Sequence, residues 1–286
     1  MPSGGGPVRD VLARLIERVR RNGPVVLWTP EDVNLGNFLY HWMHAHAQQA
    51  AGQPVRALRT DVMEPWLATF PRADRLVVAG TDVGFRDQRV LGYWQGWGRD
   101  FTREHLVDFV RDVLLDSPAL AAAIDGASPE ADVVVNVRRG DYYTDPRFRQ
   151  RYAFHIADYV QRALDVSALR SPVHHVHVVS DDIEWCRAHL DGVLGAHAAR
   201  VTYADGPRSP VRDLATLAAA PRLILTNSTF GYWGGYLSGV LHADRHADVV
   251  APWFHARFGD HLAAEQLDPR WSVVRDSGNQ WGVPDD

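Results

Sequence analysis

The chain contains no lysine: all thirty of its basic residues are arginine, which excludes Schiff-base chemistry on a lysine amine. Cysteine is almost as scarce. The single Cys186 rules out an intrachain disulfide and suits a reducing compartment; following Trp185 on an expected helix, it reads as packed rather than nucleophilic. No stretch approaches the roughly 18 apolar residues of a membrane span, and Met1-Pro2-Ser3-Gly4-Gly5-Gly6 reads as a flexible start rather than a signal peptide. A cytoplasmic protein with no integral membrane segment is the expectation. A net charge of −5 leaves no broad basic surface for nucleic acid. Neither a P-loop nor a strand-to-helix G-x-G-x-x-G is present. What remains is 286 residues, 46% of them apolar, enough for two domains with buried cores.

Against that background one arginine pair stands out. Asp132-Val133-Val134-Val135 reads as a buried parallel strand, because a short β-branched run bounded by turn residues has few alternatives. It leads into Asn136-Val137-Arg138-Arg139-Gly140-Asp141-Tyr142. Open α/β sheets bind ligands at the carboxyl ends of their strands, so these guanidinium groups, with Gly140 allowing a tight turn, are placed to grip phosphate. The plainer reading is a surface turn whose arginines pair with neighbouring carboxylates.

Two further segments share the strand, polar turn and helix design. His174-His175-Val176-His177-Val178-Val179 runs into Ser180-Asp181-Asp182-Ile183-Glu184-Trp185. There Ser180 or Asp181 can cap a helix, with Glu184 in capping-box position. A carboxylate left over could accept from the two adjacent N–H donors of guanine. Pro221 to Thr226 then feeds Asn227-Ser228-Thr229-Phe230-Gly231-Tyr232-Trp233, a helix start with free N–H groups, a dipole and hydroxyls converging, suited to an anion. Alternatively Asn227 caps the helix and Phe230, Trp233 and Tyr236 form a core stripe.

In content and order these segments resemble the α-1,2-fucosyltransferases of glycosyltransferase family 11. The family pattern His-x-Arg-Arg-Gly-Asp-Tyr, Ser-Asp-Asp-x-x-Trp, then Asp-Leu before Asn-Ser-Ser/Thr-Phe-Ser-Trp-Trp is met at residues 136 to 142, 180 to 185, Asp213-Leu214 and 227 to 233. Ala251-Pro252-Trp253-Phe254 and Pro269-Arg270-Trp271 are similar to its closing Pro-x-x-Trp elements, and Asn34-Leu35-Gly36-Asn37 to its Gly-Leu-Gly-Asn-Gln.

The resemblance implies an α/β, GT-B-like enzyme of two Rossmann-like, doubly wound domains facing across a cleft. It would be an inverting transferase moving fucose from GDP-fucose to a glycan or small glycosylated acceptor without a metal or other cofactor. Carried over, Arg138 holds the β-phosphate and Arg139 supports it or ties down the loop. Asp182 or Asp181 reads guanine beside Ser180, while Asn227, Ser228, Thr229 and Phe230 frame the pyrophosphate. Asn37 approaches the sugar and Asn136 lies near the nucleotide. For the acceptor base, Glu31, Asp32, Asp141 and Asp145 are candidates, with Asp32 and Asp141 foremost. Three departures bear on the sugar and acceptor: Asn136 stands in place of His, Asn34 and Phe38 replace the first Gly and the Gln, and Gly231-Tyr232 replaces Ser-Trp.

The expected organisation is an acceptor-side domain over 1–128 and a nucleotide-sugar domain over 129–286, divided near Gly126-Ala127-Ser128-Pro129. Helices are expected over 8–21, 35–50, 103–115 and 118–124. Strands are expected at Val25 to Trp28, near Val55, at Leu76 to Val78, and at 132–137, 174–179, 200–203, 222–226 and 248–250, the last five alternating with helices as a parallel sheet requires. His41 and His44 share a helix face and His175 and His177 a strand face, but neither pair has a third ligand at metal spacing. Two rival readings are a transferase for another GDP-sugar and a nucleotide-sugar-binding protein without turnover. A soluble cytoplasmic member of the family, in contrast to membrane-tethered Golgi relatives, would fit a bacterial enzyme.

Overall fold

The computed structural model describes residues 19–20, 23–28, 34–127, 130–207, 209–242, 245–258 and 261–275; the expected helix over 8–21 falls almost wholly outside them. In the first half the elements are β1 (Val25–Trp28), α1 (Leu35–Ala50), β2 (Val55–Leu58), α2 (Glu64–Thr69), β3 (Val77–Val78) and β4 (Gln88–Leu91). Its strands form a parallel sheet in the order β3-β2-β1-β4. Next, α3 (Arg103–Phe109) starts on a capping box from Thr102 and His105 and continues into a π-helical turn, while α4 (Pro118–Gly126) is capped by Ser117.

The second half contains β5 (Val133–Val137), α5 (Gly140–Thr144), α6 (Pro146–Tyr152), α7 (Ile156–Ala168), β6 (His175–Ser180), α8 (Ile183–His197), β7 (Arg200–Tyr203), α9 (Pro210–Ala219), β8 (Leu223–Leu225), α10 (Thr229–Leu241), β9 (Val249–Pro252), β10 (Ala256–Phe258), β11 (His261–Ala263) and β12 (Ser272–Val274). Six strands pair in parallel as β12-β9-β8-β5-β6-β7, and β10 and β11 form a separate antiparallel hairpin. The sheet grows one way from β5 through β6 and β7 and the other way through β8, β9 and β12. The crevice between β5 and β8 is therefore a topological switch point, where open α/β sheets bind ligands.

Period-two alternation along β5 divides its side chains between two cores. Val133, Val135 and Val137 pack with α7 and α8, whereas Val134 faces the core that holds α9 and α10. That second core is continuous with the first half. Tyr40 of α1 lies 5.1 Å from Trp233 of α10 between ring centroids, its hydroxyl is 2.9 Å from that of Tyr236, and the Trp233 indole donates to Gly36 O at 2.9 Å. The fold is thus α/β and GT-B-like, two parallel sheets facing a cleft, with the halves welded along α1 and α10 by fully buried aromatics. β4, β12 and the hairpin had no clear trace in the sequence: β4 is an edge strand with exposed Val90 and Leu91, so no buried apolar run marks it.

Candidate active site

A cavity of about 950 Å³ opens at the switch point, lined by Asn34 to Asn37 from the first half and by Asn136 to Arg138, Ser180, Asp181 and Ser228 to Phe230 from the second. Two helices begin there. Asn34 before α1 and Ser228 before α10 both have extended backbones, and neither side chain bonds back into its helix. Apart from the Asn37 N–H, which bonds Asn34 O at 2.9 Å, first-turn N–H groups have no intrahelical partner, so two sets of donors and two positive dipole ends meet at one place. Gly36 makes the meeting possible, since a Cβ there would lie 2.4 Å from Thr229 Oγ1 and 2.7 Å from Phe230 N.

Arg138 completes the anion site. β5 carries it to the cavity, its backbone N–H donates to Thr226 Oγ1 at 2.9 Å, and its guanidinium donates to Asp181 Oδ2 at 2.6 Å and to Asp141. Burial opposes its charge, yet Asp181 and Asp141 together hold its pKa above the ordinary arginine value. Gly140 turns the chain at φ +30° immediately after the arginines. The expectations for Arg138 and for Ser228, Thr229 and Phe230 thus converge on one surface.

Three expected ligand contacts lie elsewhere. Arg139 is sandwiched, its guanidinium carbon 4.2 Å from the Tyr143 ring centre and 4.1 Å from that of Trp185, with Nε 3.4 Å from Asp182 Oδ2; it ties down the loop instead of lining the cavity. Asp182 caps α8, accepting from Trp185 N at 3.2 Å. The cap is thus one residue later than the Ser180 or Asp181 expected from the sequence; the Asp182 carboxylate is committed to the helix start and does not reach the cavity lining. Asn227 is buried one residue before the true cap and donates to the carbonyls of Tyr152 and His255 at 2.8 and 2.9 Å. It fastens the α6 and β10 segments to the start of α10.

Asp181 lines the cavity with both oxygens engaged, one on Arg138 and the other on the Arg139 N–H at 2.7 Å. Ser180 lines it too and accepts from Asp182 N at 3.0 Å. Asn136 donates to Val179 O at 3.3 Å, while its buried Oδ1 has no partner. Asp141 is held by Arg138; Asp32 and Glu31 lie outside the described residues, and Asp145 is spent capping α6. Residues not put forward as site residues from the sequence also line the cavity: Asp213 in the first turn of α9, Trp94, Gln95, His255, Gln266, and Glu265, which pairs with Arg99 at 2.7 Å. The Asp213-Leu214 dipeptide was the only available pointer to Asp213. Phe38 is buried against Trp42; the amide beside Asn37 comes from Gln95, which accepts in turn from Gln266.

Away from the cavity, His175 Nε2 and His177 Nδ1 both bond the Thr202 hydroxyl, and among the described residues no group of three His, Cys, Asp or Glu could hold a metal ion. Cys186 is fully buried, its thiol pushed up to about 11 by desolvation, which makes it a poor nucleophile. No described helix is long and apolar enough to cross a membrane.

The family model "Glycosyl transferase family 11" matches residues 87–243. Galactoside alpha-(1,2)-fucosyltransferase 1 of Saimiri sciureus is 35% identical over 199 residues, covering 65% of this chain and 52% of the relative, so the chain spans about half the length of the curated relatives it matches. Among solved structures, a mutant of Arabidopsis thaliana FUT1 in complex with GDP aligns at TM-score 0.40 and 11% identity over 83% of this chain and 79% of that one. E. coli ADP-heptose LPS heptosyltransferase II aligns at 0.48 and 10% over 91% and 92%. With the family model matching more than half of its residues, and with the Arg-Arg-Gly-Asp turn and the Asn-Ser-Thr-Phe helix start meeting at one cavity, the chain belongs to glycosyl transferase family 11.

Proposed function

We propose that the chain is an inverting glycosyltransferase that moves fucose from GDP-fucose to a sugar hydroxyl without a metal ion. The observation that carries this reading is the convergence of Arg138 with the starts of α1 and α10 on one cavity. A departing nucleoside diphosphate carries its developing charge on the β-phosphate. Fixed N–H donors and a guanidinium aimed there stabilise it without reorganising, and the volume suits a nucleotide sugar. In this account Arg138 and the Ser228-Thr229-Phe230 turn hold the pyrophosphate and Asn37 meets the sugar. Asp141 acts by orienting Arg138. The acceptor is a glycan or a small glycosylated molecule, entering from the first half, which would make residues 1–128 the acceptor side and 129–286 the donor side. A cytoplasmic, bacterial setting belongs to the same proposal, supported by a single, buried cysteine.

Asp182 is outside the cavity lining and Asp181 sits beside the phosphate-binding Arg138, so in this proposal a second lining carboxylate reads guanine. Asp213, lining the cavity from the first turn of α9, is our choice, since a carboxylate can accept both N1–H and N2–H of guanine whereas uracil offers no such pair. Calorimetry in EDTA tests this: GDP binds at least about tenfold more tightly than UDP, a gap of roughly 1.4 kcal/mol. Asp213→Ala narrows the gap and Asp182→Ala preserves it. Equal affinity for the two nucleotides, or binding that requires manganese, contradicts the proposal.

A further inference from the structure

One element of the cavity is unexplained by phosphate binding. Asn37 Oδ1 accepts from Gln95 Nε2 at 2.7 Å, and Gln95 Oε1 accepts in turn from Gln266 Nε2 at 2.8 Å. Both glutamines are more than nine-tenths buried and all three residues line the cavity. Gln266 is itself anchored, its backbone carbonyl accepting from the Tyr236 hydroxyl of α10. The chain of amides therefore runs from the second half to the first and has a direction.

The backbone leading into Gln95 is strained for this purpose. Trp94 has φ +45°, the only positive value at a non-glycine among the described residues, a conformation that persists only where its surroundings over-determine it. Those surroundings are two histidines of α1: His44 stacks on the indole at 5.0 Å, and His41 meets it edge-on at 5.5 Å while bonding Gly92 O. Together they hold the 92–95 loop so that Gln95 points between Asn37 and Gln266.

We propose that Gln95 is a positioning residue that fixes the polarity of the Asn37 amide, so that Nδ2 faces the cavity and this part of the site donates to a hydroxyl of the transferred sugar. With Oδ1 occupied by the Gln95 N–H, the two Nδ2 hydrogens are what Asn37 offers. A carboxylate at 95 still serves Gln266 but can only accept, which turns Asn37 over and presents Oδ1 instead. The inference rests on the reading above that a GDP-sugar binds with its sugar at Asn37.

The measured quantity is the affinity gained from the sugar, the ratio of the GDP to the GDP-fucose dissociation constant, by calorimetry on the full chain. Asn37→Ala and Gln95→Glu are each expected to lower that ratio about tenfold, the scale of one lost hydrogen bond to a buried site. The double variant should fall no further than either single one, because Gln95 acts only through Asn37. Should glutamate prevent folding, Gln95→Met, of similar volume and without an amide, carries the same expectation. A ratio within twofold of the parent in the Gln95 variants, or an effect that adds in full on top of Asn37→Ala, overturns the inference while leaving the proposed function standing. Failure of the parent protein to bind GDP at all overturns both.

Discussion

Replacing Arg138 with alanine is expected to weaken GDP binding by about 1.5–3 kcal/mol, the scale of a lost charge-assisted contact, and to reduce turnover further, since the contact strengthens as GDP departs. The structure makes the loss larger than that of one donor. Asp141 and Asp181 both line the cavity and both are bonded by the Arg138 guanidinium; without it, two carboxylates confront the pyrophosphate. Asp181 keeps the Arg139 N–H, so the loop retains one anchor and the fold should survive with a lowered Tm. Arg138→Lys should not rescue, because an ammonium cannot span two carboxylates in a planar fork. GDP affinity and turnover near those of the parent in Arg138→Ala would mean that the arginine is purely structural.

The second large effect is expected at Gly36. In an ordinary helix glycine to alanine is stabilising, by up to about 1 kcal/mol. Here a Cβ would lie 2.7 Å from Phe230 N and 2.8 Å from Thr229 C, both backbone atoms, in addition to the Thr229 hydroxyl. No rotamer change relieves that, so α1 and α10 must part at the point where they form the anion site. The cost is that of overpacking, about 1–3 kcal/mol, read as a fall in Tm, together with a loss of GDP affinity that an ordinary core defect would not bring. A rise in Tm with unchanged GDP binding would show that the two helix starts do not meet.

Much of the strand and helix pattern of the second half was legible because its central strands β5, β8 and β9 are mostly apolar and its turns polar, whereas β12 and the hairpin were not; Val133–Val137 and the α10 start needed only local reading. Long-range partners were not legible. Arg138 and Arg139 are adjacent and chemically identical, and what separates them is that Trp185 and Tyr143 close on the second alone. The three acids of the Ser180 turn could not be sorted until the Asp182 cap and the Asp181 ion pair were seen. Gln95 had no signal at all: it sits in a loop after an exposed edge strand, and its importance comes from Asn37, 58 residues away, and Gln266, 171 residues away. Phe38 shows the reverse, a residue noted as a departure from the family pattern that proves to be core.

The most direct test of the account is to incubate the protein in EDTA with GDP-fucose, other GDP-sugars and UDP-sugars, with no acceptor supplied, and to measure sugar released to water. A site that holds the pyrophosphate and stabilises its departure should leak fucose from GDP-fucose, with GDP as co-product and no dependence on divalent metal, while UDP-sugars remain intact. Consumption of a different GDP-sugar with GDP-fucose untouched would contradict the fucosyl assignment and leave the arginine clamp standing. No release from any nucleotide sugar, with GDP still bound, would contradict the claim that this cavity is a catalytic centre.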